Sequence, residues 1–366
     1  YQGSLDEALV SRFLRAVGTP NALNETSLHR ANKEKALELA WGVRGDLNDV
    51  AHATYILNFG SNPYESHALF VPFVQRIIEA RQAGAKLITF DPRLSTTAGK
   101  SDEWFPIKPG TDGLVALAMA NVIMQLGLHD ADFLARWVNY PAVKLAEHLT
   151  QYSLEMAGAA SGVKPAHIRR LAIEFATTRP ATAISAGGVS LHANGVQNER
   201  AILLLNALTG NVDVRGGYCL PRTYGLEEPN PRPPAPTLPS SLSTIQQALP
   251  LIRDRQQKVG MLLTYRYDPV YGHPDSNLSA AVLKDESLIR YHVAVDSYLT
   301  ESASLADLFL PAATYLESWN IHSMPAYELV PFVGLQQPVV EPAGESRPFH
   351  DICLELAKRV GGGMEQ

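Results

Sequence analysis

The chain has 366 residues, of which 46% are hydrophobic and 19% charged, so it can bury a large core in two or three domains. Its net charge of −6 excludes the basic field that nucleic-acid binding requires. Its two cysteines, Cys219 and Cys353, lie far apart in the sequence; this excludes an iron–sulfur cluster or zinc site built from them and favours two buried free thiols.

Hydrophobic periodicity predicts an alternation of helices and strands. In chain order we expect helices over 5–17 and 33–41, a strand over 53–60, a helix over 68–83, a strand over 86–91, helices over 112–126, 130–138 and 164–177, a strand over 181–185, a helix over 197–208, and strands over 260–265 and 291–296. The strand–helix–strand order over 53–91 is a βαβ unit, which predicts a parallel sheet. Residues 227–239 are rich in proline and predict an extended surface excursion.

Four of the predicted strands end in a loop that contains Asn, Asp, Gly or Pro. In open α/β sheets, ligands bind outside the carboxyl ends of the strands. The first such loop is Gly60-Ser-Asn-Pro-Tyr-Glu-Ser66, where a glycine lets a backbone approach a phosphate or a pterin. An ordinary strand-to-helix turn has the same appearance, so this motif alone leaves both interpretations open.

The second loop carries Asp91, Pro92 and Arg93 at the end of a strand. A carboxylate at that position accepts hydrogen bonds from ribose hydroxyls, and a guanidinium two residues later forks onto phosphate. The alternative interpretation is an exposed Asp91–Arg93 pair at the surface. The pattern indicates a nucleotide-like ligand.

A third loop, Pro109-Gly110-Thr111-Asp112, is selected by its Pro-Gly turn and not by a predicted strand, and it directs a hydroxyl and a carboxylate to the start of the next helix. A plain helix cap by Thr111 or Asp112 is the simpler interpretation, and a carboxylate that reads a guanine edge is the functional one. A cap and a ligand contact are also compatible.

The fourth loop follows the strand over 181–185 and reads Ala-Gly187-Gly188-Val-Ser190-Leu-His192-Ala-Asn-Gly. Paired glycines beside Ser, His and Asn suit a phosphate or a pterin edge. A tight turn with His192 as an ordinary polar residue is the alternative.

Together these segments carry a resemblance. GSNPYES, FDPR, IKPGTDG, AGGVSLHANG and LTGNVDVRGG, followed by LTYRYDPVYGHPDSN and VDSYLTESASLADLFLPAATYLES, resemble in this order the molybdopterin-dinucleotide oxidoreductases of the dimethyl-sulfoxide-reductase superfamily. The chain is most similar in character to the polysulfide, thiosulfate and tetrathionate reductase subunits. The resemblance implies an α/β fold of two related domains with mainly parallel sheets flanked by helices, and a cofactor cleft between them.

The same resemblance implies a domain division and a set of binding residues. Residues 1–52 would lead in from an iron–sulfur domain, 53–180 would form a first dinucleotide-binding domain, and 181–366 a second. The residues implied to bind bis-molybdopterin guanine dinucleotide are Gly60, Asn62 and Pro63 against one dinucleotide, Asp91, Pro92 and Arg93 at its ribose and phosphate region, Pro109, Gly110, Thr111 and Asp112 at its guanosine end, Gly187, Gly188 and Ser190 at the active-site centre, and Tyr267 and Asp268 in the second half.

The metal ligand departs from the pattern of the family. In this subgroup the resemblance implies a cysteine ligand in the loop that here reads Asn24-Glu-Thr-Ser-Leu-His29, with His29 near the ligand position. Imidazole is a legitimate ligand, so His29 is the candidate ligand for molybdenum or tungsten, and an ordinary loop histidine is the alternative. We also expect a longer protein, with a 4Fe-4S cluster before this chain and a cap domain after it.

The resemblance implies a two-electron oxidoreductase acting on a small-molecule substrate in anaerobic respiration. Its expected partners are an iron–sulfur electron-transfer subunit and a membrane subunit that reacts with quinone, at the periplasmic or exoplasmic face of a bacterial membrane. One alternative is a metal-free scaffold subunit with the same fold in a quinone-linked complex. The other is an ordinary nucleotide-binding α/β enzyme, which predicts a G-x-G-x-x-G segment that the sequence lacks.

Overall fold

A computed structural model describes residues 4–23, 26–45, 47–66, 70–222, 244–324 and 330–360. The proline-rich excursion predicted at 227–239 and the glycine-rich end at 361–366 lie outside the described residues. The chain divides into two compact units. Unit 1 comprises Tyr1–Leu28, Tyr224–Met324 and Phe332–Gln366, and unit 2 comprises His29–Thr223 and Pro325–Pro331.

The strands are short and mostly buried. In chain order they are β1 (Leu47–Asn48), β2 (Tyr55–Phe59), β3 (Lys86–Phe90), β4 (Glu103–Phe105), β5 (Ala181–Ser185), β6 (Tyr218–Cys219), β7 (Leu262–Tyr265), β8 (His292–Asp296), β9 (Leu308–Pro311), β10 (Asn320–Met324) and β11 (Phe332–Gln336).

Helices connect most of these strands. They are α1 (Ser4–Val17), α2 (Thr26–His29), α3 (Ala31–Trp41), α4 (Phe70–Gln82), α5 (Thr96–Lys100), α6 (Asp112–Gln125), α7 (Ala131–Trp137), α8 (Ala142–Leu149), α9 (Leu154–Ser161), α10 (Pro165–Thr177), α11 (Gly187–Ser190), α12 (Gly195–Leu208), α13 (Ile245–Arg253), α14 (Pro269–Gly272), α15 (Ser276–Lys284) and α16 (Phe349–Val360), with a 3-10 turn at Ala303–Leu305.

Unit 2 is built on a four-stranded parallel sheet in the order β4-β3-β2-β5. Every residue of β2 is buried because helices cover both faces of the sheet, as the near-continuous apolar run of a parallel strand requires. Tyr55, Leu57 and Phe59 face the larger core with α6, α10 and α12, whereas Ile56 packs with Ile77 of α4 on the other face. The predicted βαβ unit over 53–91 is therefore confirmed.

Unit 1 contains a three-stranded parallel sheet in the order β7-β8-β9. One apolar cluster packs helices α13 and α15 together, and a second includes residues of α1 and α16. Tyr265 at the end of β7 stacks on Phe349 of α16 with ring centroids 3.9 Å apart. An antiparallel hairpin, β10–β11, completes the unit as far as it is described. The predicted mixture of parallel sheets and flanking helices is confirmed.

The domain division predicted from the sequence is wrong at both boundaries. Strand β5 pairs in parallel with β2, so the expected start of a second domain at 181 falls inside the sheet of unit 2. The lead-in segment 1–52 is itself divided, because α1 belongs to unit 1 and α3 to unit 2. The pattern within one strand–loop–helix segment does not reveal which sheet its strand joins, and this is why the sequence misplaced β5.

A helix that crosses a bilayer needs about 20 mostly apolar residues. No helix within the described ranges is long and apolar enough to cross a membrane.

Candidate functional site

The loops that follow β2, β3, β4 and β5 meet at one edge of the sheet of unit 2. The strands are parallel, so their carboxyl ends lie together, and backbone hydrogen bonds join the loops there. Gly60 N donates to Phe90 O at 3.0 Å, Asp91 N to Phe105 O at 3.3 Å, and Gly188 N to Gly60 O at 3.1 Å. The structure thus brings together the four loops that the sequence selects.

Gly60 and Gly188 lie so close together that neither position has room for a side chain. A Cβ built on Gly60 would lie 2.9 Å from the carbonyl carbon of Gly188, and one built on Gly188 would lie 2.6 Å from Gly60 O. Gly60 also has a φ of +54°, which side chains other than glycine rarely adopt. The close approach of the two loops, not the approach of a phosphate, is sufficient reason for both glycines.

Asn62 fixes the first loop against the helix that follows the second. Its Oδ1 accepts from Thr97 N at 3.3 Å and from Thr97 Oγ1 at 2.5 Å, and its Nδ2 donates to Glu65. Pro63 is buried beside it. These contacts give the loop one shape, which a rigid ligand site requires.

Arg93 pairs with a glutamate of the first loop. Its guanidinium donates to Glu65 Oε2 at 3.0 Å, and the Arg93 side chain is 66% exposed. Hydrogen bonds from Thr96, Asn62 and Arg93 lower the pKa of Glu65 to about 2. The Asp91–Arg93 surface pair considered as an alternative is therefore wrong, because the guanidinium reaches Glu65.

Both carboxylate oxygens of Asp91 accept hydrogen bonds from its own loop. Oδ1 accepts from Arg93 N at 3.0 Å and Oδ2 from the hydroxyl of Ser95 at 2.9 Å, in a residue that is buried. Pro92 stands exposed at the turn. This arrangement organises the loop in the manner of an Asx turn, and a contact of Asp91 with ribose stays a prediction.

The simpler interpretation of the third loop, a helix cap, is wrong. The hydroxyl of Thr111 donates to Lys108 O at 2.7 Å, and the side chain of Thr111 does not cap α6. Asp112 is the first residue of α6 and is 2% exposed. Among the described residues, no other residue donates a hydrogen bond to its carboxylate.

Burial raises the pKa of Asp112 to about 6, although its own amide and the nearby His192 act to lower it. A buried carboxylate costs free energy unless donors satisfy it. Asp112 is therefore an acceptor at this edge with unused capacity for N–H donors of a ligand. Sequence reasoning selected the residue and left the cap as the simpler role.

The third loop also contacts the fourth. A Cβ built on Gly110 would lie 3.5 Å from Nδ1 of His192, so the imidazole stands directly against the turn at Pro109 and Gly110. Gly187 and Ser190 form the short helix α11, in which Ser190 is buried. The alternative interpretation, a tight turn with His192 as an ordinary polar residue, stays open, and the His192 ring lies against Gly110 and acts to lower the pKa of Asp112.

A buried polar network beside the fourth loop was missed by sequence reasoning. Lys33 of α3 donates to the carbonyl and hydroxyl oxygens of Ser185, and the hydroxyl of Ser185 donates to Glu199 of α12. One signal was available: Lys33 shares a helix face with Ala36 and Leu37, both fully buried. A lysine in a buried stripe implies a buried partner.

Tyr267 and Asp268 belong to unit 1 and lie in the loop after β7. The carboxylate of Asp268 accepts from Ser302 N at 3.3 Å and from the hydroxyl of Ser302. The hydroxyl of Tyr267 contacts Nε2 of His273, whose pKa is lowered by burial. These contacts fix the loops that follow the strands of the unit 1 sheet. The role of Tyr267 and Asp268 toward a second dinucleotide stays a prediction.

His29 ends helix α2 and is exposed. In the part of the chain that the structure describes, no three or more His, Cys, Asp or Glu side chains gather as a cation site. A metal held mainly by a cofactor does not require such a cluster, so the role of His29 stays a prediction. Cys219 and Cys353 are buried free thiols as expected, and burial raises the pKa of Cys353 to about 12.

A family model described as molybdopterin oxidoreductase matches residues 5–359 of the chain. Two curated relatives are the thiosulfate reductase molybdopterin-containing subunit PhsA of Salmonella typhimurium, 30% identical over 99% of this chain and 50% of its own length, and the dimethyl sulfoxide reductase DmsA of Escherichia coli, 28% identical over 88% and 44%. The chain thus spans about half the length of the curated relatives it matches.

The fold of the chain is similar to that of a solved structure, the acetylene hydratase from Pelobacter acetylenicus. The TM-score is 0.82 at 24% sequence identity, with 97% of this chain and 53% of that chain covered. This similarity extends over both units and bears on the fold alone.

Proposed function

This chain belongs to the molybdopterin oxidoreductase family, and we propose that it forms the cofactor-binding core of a two-electron oxidoreductase whose metal is held by bis-molybdopterin guanine dinucleotide. The observation that carries the proposal is the buried carboxylate of Asp112, without a donor from another described residue, at the edge where four loops converge. The named relatives, a thiosulfate reductase and a dimethyl sulfoxide reductase, support redox chemistry.

The residues at this edge fit a guanine dinucleotide. A guanine presents adjacent N–H donors on one edge, and a carboxylate is the acceptor that pairs with them through charge-assisted hydrogen bonds. Asp112 has this acceptor capacity, and the neighbouring turn at Pro109, Gly110 and Thr111 would surround the guanosine end. The fit rests on a buried acceptor to which no other described residue donates.

The other loops would hold the rest of the ligand. Gly60, Asn62 and Pro63 would contact one dinucleotide through a loop that is already fixed by Thr97 and Gly188. The exposed guanidinium of Arg93 would attract phosphate while it stays paired with Glu65. Asp91 and Pro92 would shape that turn.

The centre itself would lie against the fourth loop. Gly187, Gly188 and Ser190 would face it, and Tyr267 with Asp268 would serve a second dinucleotide. His29 would ligate the metal, molybdenum or tungsten, through its imidazole. When bound, the metal and its dithiolene sulfurs supply two-electron transfer, while the chain's residues orient the substrate and exclude water.

We also propose the wider assembly. Electrons would pass through a 4Fe-4S cluster in a preceding segment to an iron–sulfur subunit and a membrane subunit that reacts with quinone. The substrate is a small molecule, and the site faces the periplasmic or exoplasmic side of a bacterial membrane in anaerobic respiration. The names of the two relatives support the reductase chemistry, while the quinone link and the side of the membrane rest on the sequence resemblance alone.

The competing proposal is a metal-free scaffold subunit of such a complex. Its supporting observation is His29, an exposed residue where the resemblance implies a cysteine. The buried carboxylate of Asp112, to which no other described residue donates, argues against it, because a scaffold gains nothing from a buried charge without a ligand.

Elemental analysis and pterin fluorescence after oxidative release test the proposal on the protein that contains this chain. We expect stoichiometric molybdenum or tungsten, with pterin and guanosine monophosphate released on acid hydrolysis. A well-folded protein without metal and pterin would overturn the enzyme proposal and leave the scaffold.

A further inference from the structure

Three side chains from three elements form a buried network in unit 2. Lys33 of α3 is 6% exposed and Glu199 of α12 is fully buried, while Ser185 is the last residue of β5. Lys33 Nζ donates to Ser185 O and, at 3.3 Å, to Ser185 Oγ. That hydroxyl in turn donates to Glu199 Oε2 at 2.5 Å, so one hydroxyl bridges an ammonium and a carboxylate.

Joining these elements through buried charges costs free energy. Removing an ammonium and a carboxylate from water costs free energy that their mutual attraction seldom exceeds, and well-packed apolar side chains stabilise a core at least as well. Helices α3 and α12 already pack through Leu37 and Leu203. Stability alone therefore does not account for the pair.

The network lies at the point where strand β5 ends and the fourth loop begins. Ser185 directly precedes residues 186–190, and Asn32, the neighbour of Lys33, donates to Ser190 O at 2.7 Å and to His192 O at 3.5 Å. A Cβ built on Gly195 would lie 2.0 Å from Ser190 O, so the backbone here is tightly packed. The first turn of α3 thus holds the loop from both ends.

The same turn follows closely on the residue proposed as metal ligand. His29 precedes Asn32 by three residues and Lys33 by four. One short segment therefore carries the proposed ligand and the groups that fix the loop facing the centre. Any charge imbalance in this network acts through a low-dielectric interior on a nearby centre.

We propose that Lys33 and Glu199 are positioning residues of the cofactor centre. They hold residues 186–190 and the segment 29–33 as one rigid group, and their opposite charges balance each other beside the metal so that neither biases its reduction potential. This inference rests on the proposed function. Removal of Lys33 leaves a negative charge that stabilises the oxidised metal, and removal of Glu199 leaves a positive charge that stabilises the reduced metal.

The test is a redox titration of the metal, followed by electron paramagnetic resonance, on the cofactor-loaded protein. The variants are Lys33→Met, Glu199→Gln and their combination. Because an uncompensated buried group tends to neutralise, Lys33→Met is titrated at pH 9 and Glu199→Gln at pH 6, each beside the wild type. Lys35→Met is the control, since Lys35 is an exposed lysine of the same helix paired with Glu38 at 3.1 Å.

We expect a lower midpoint potential for Lys33→Met, a higher one for Glu199→Gln, and values near the wild type for the double variant and for Lys35→Met. Each single variant tests the proposal by itself, so one folded variant suffices. Unchanged potentials, or shifts of the same sign in both single variants, would overturn it and leave a purely structural network. A wild-type protein without metal fails the proposed function before any substitution is made.

Discussion

The two parallel sheets that the structure describes end in loops that carry aspartates, and these aspartates differ in what their carboxylates bind. At the sheet of unit 1, Asp268 accepts from the backbone N–H and the hydroxyl of Ser302. At the sheet of unit 2, Asp91 accepts from Arg93 N and from the hydroxyl of Ser95. Asp112, at the edge of the same unit 2 sheet, has no donor from another described residue.

This difference separates two roles that look alike in the sequence. A carboxylate that accepts from its own loop contributes to folding and leaves little capacity for a ligand. A buried carboxylate without donors lowers the stability of the chain and gains its partners when a ligand binds. Substitutions at the two kinds of aspartate should therefore change the stability of the chain in opposite directions.

The largest effect is expected where backbone contact holds the loops of unit 2. Gly60→Ala should lower the free energy of unfolding by about 3 kcal/mol or more, because the new Cβ meets Gly188 and φ is +54°. Two controls separate these causes. Gly127 has a φ of +65° and open space around it, so Gly127→Ala should lower the free energy of unfolding by about 1 kcal/mol. Gly272→Ala in unit 1 should leave the free energy of unfolding nearly unchanged. Equal losses in urea denaturation for Gly60→Ala and Gly127→Ala would contradict the close contact.

Asp112→Asn should stabilise the cofactor-free protein. A carboxyl whose pKa is raised from 3.8 to about 6 by burial loses about 3 kcal/mol of stability as the pH rises through that window. The penalty is absent below about pH 4, where the carboxyl is protonated in both states, and complete above about pH 6. Urea denaturation of variant and wild type at pH 4 and pH 8 checks this. A variant that is less stable than the wild type at pH 8 would show that a donor satisfies Asp112.

Removal of a loop-organising carboxylate should lower the free energy of unfolding, whereas Asp112→Asn should raise it. Asp91→Ala and Asp268→Ala should each lower the free energy of unfolding at pH 8 by about 2 kcal/mol, because a backbone N–H and a serine hydroxyl lose their acceptor. Chemical denaturation measures both. If either variant matched the wild type, the loop-organising role of that aspartate would be wrong.

The smallest effect concerns Asp6 and His350 of unit 1, which lie 2.6 Å apart between Oδ1 and Nδ1. The hydrogen bond that His350 donates to Asp6 raises the pKa of His350, so their pairing stabilises the fold below pH 6.5 and is lost as the pH rises through the raised pKa. Asp6→Asn should therefore cost about 1–2 kcal/mol at pH 5.5 and less at pH 9. A loss that does not depend on pH would exclude an ion pair.

Much of the fold could be predicted from local pattern. The buried strands β2, β3, β5 and β8 and the long helices α6 and α12 follow from apolar runs and helical spacing. Strand β4 and the hairpin β10–β11 could not be predicted in this way, because β4 is three residues long and the faces of β11 are mostly exposed. The membership of β5 depends on pairing across more than a hundred residues of chain.

The candidate site shows the same limit. Three of the four loops could be selected because they follow predicted strands, and the third loop because its Pro-Gly turn precedes a predicted helix. Whether Asp91, Asp112 or Arg93 keeps free hydrogen-bonding capacity depends on neighbours such as Glu65 and Ser95, which only the folded chain brings close. Lys33 and Glu199 meet from helices far apart in the sequence, and no spacing rule pairs them.

The guanosine monophosphate content of the purified protein tests the central claim most directly. Asp112→Asn and Asp91→Asn are compared with the wild type after acid hydrolysis of the bound dinucleotide. The account predicts that Asp112→Asn loses about half of the released nucleotide although its chain is at least as stable, whereas Asp91→Asn keeps its nucleotide as far as it stays folded. Full nucleotide content in Asp112→Asn would contradict the assignment of this edge as the dinucleotide site.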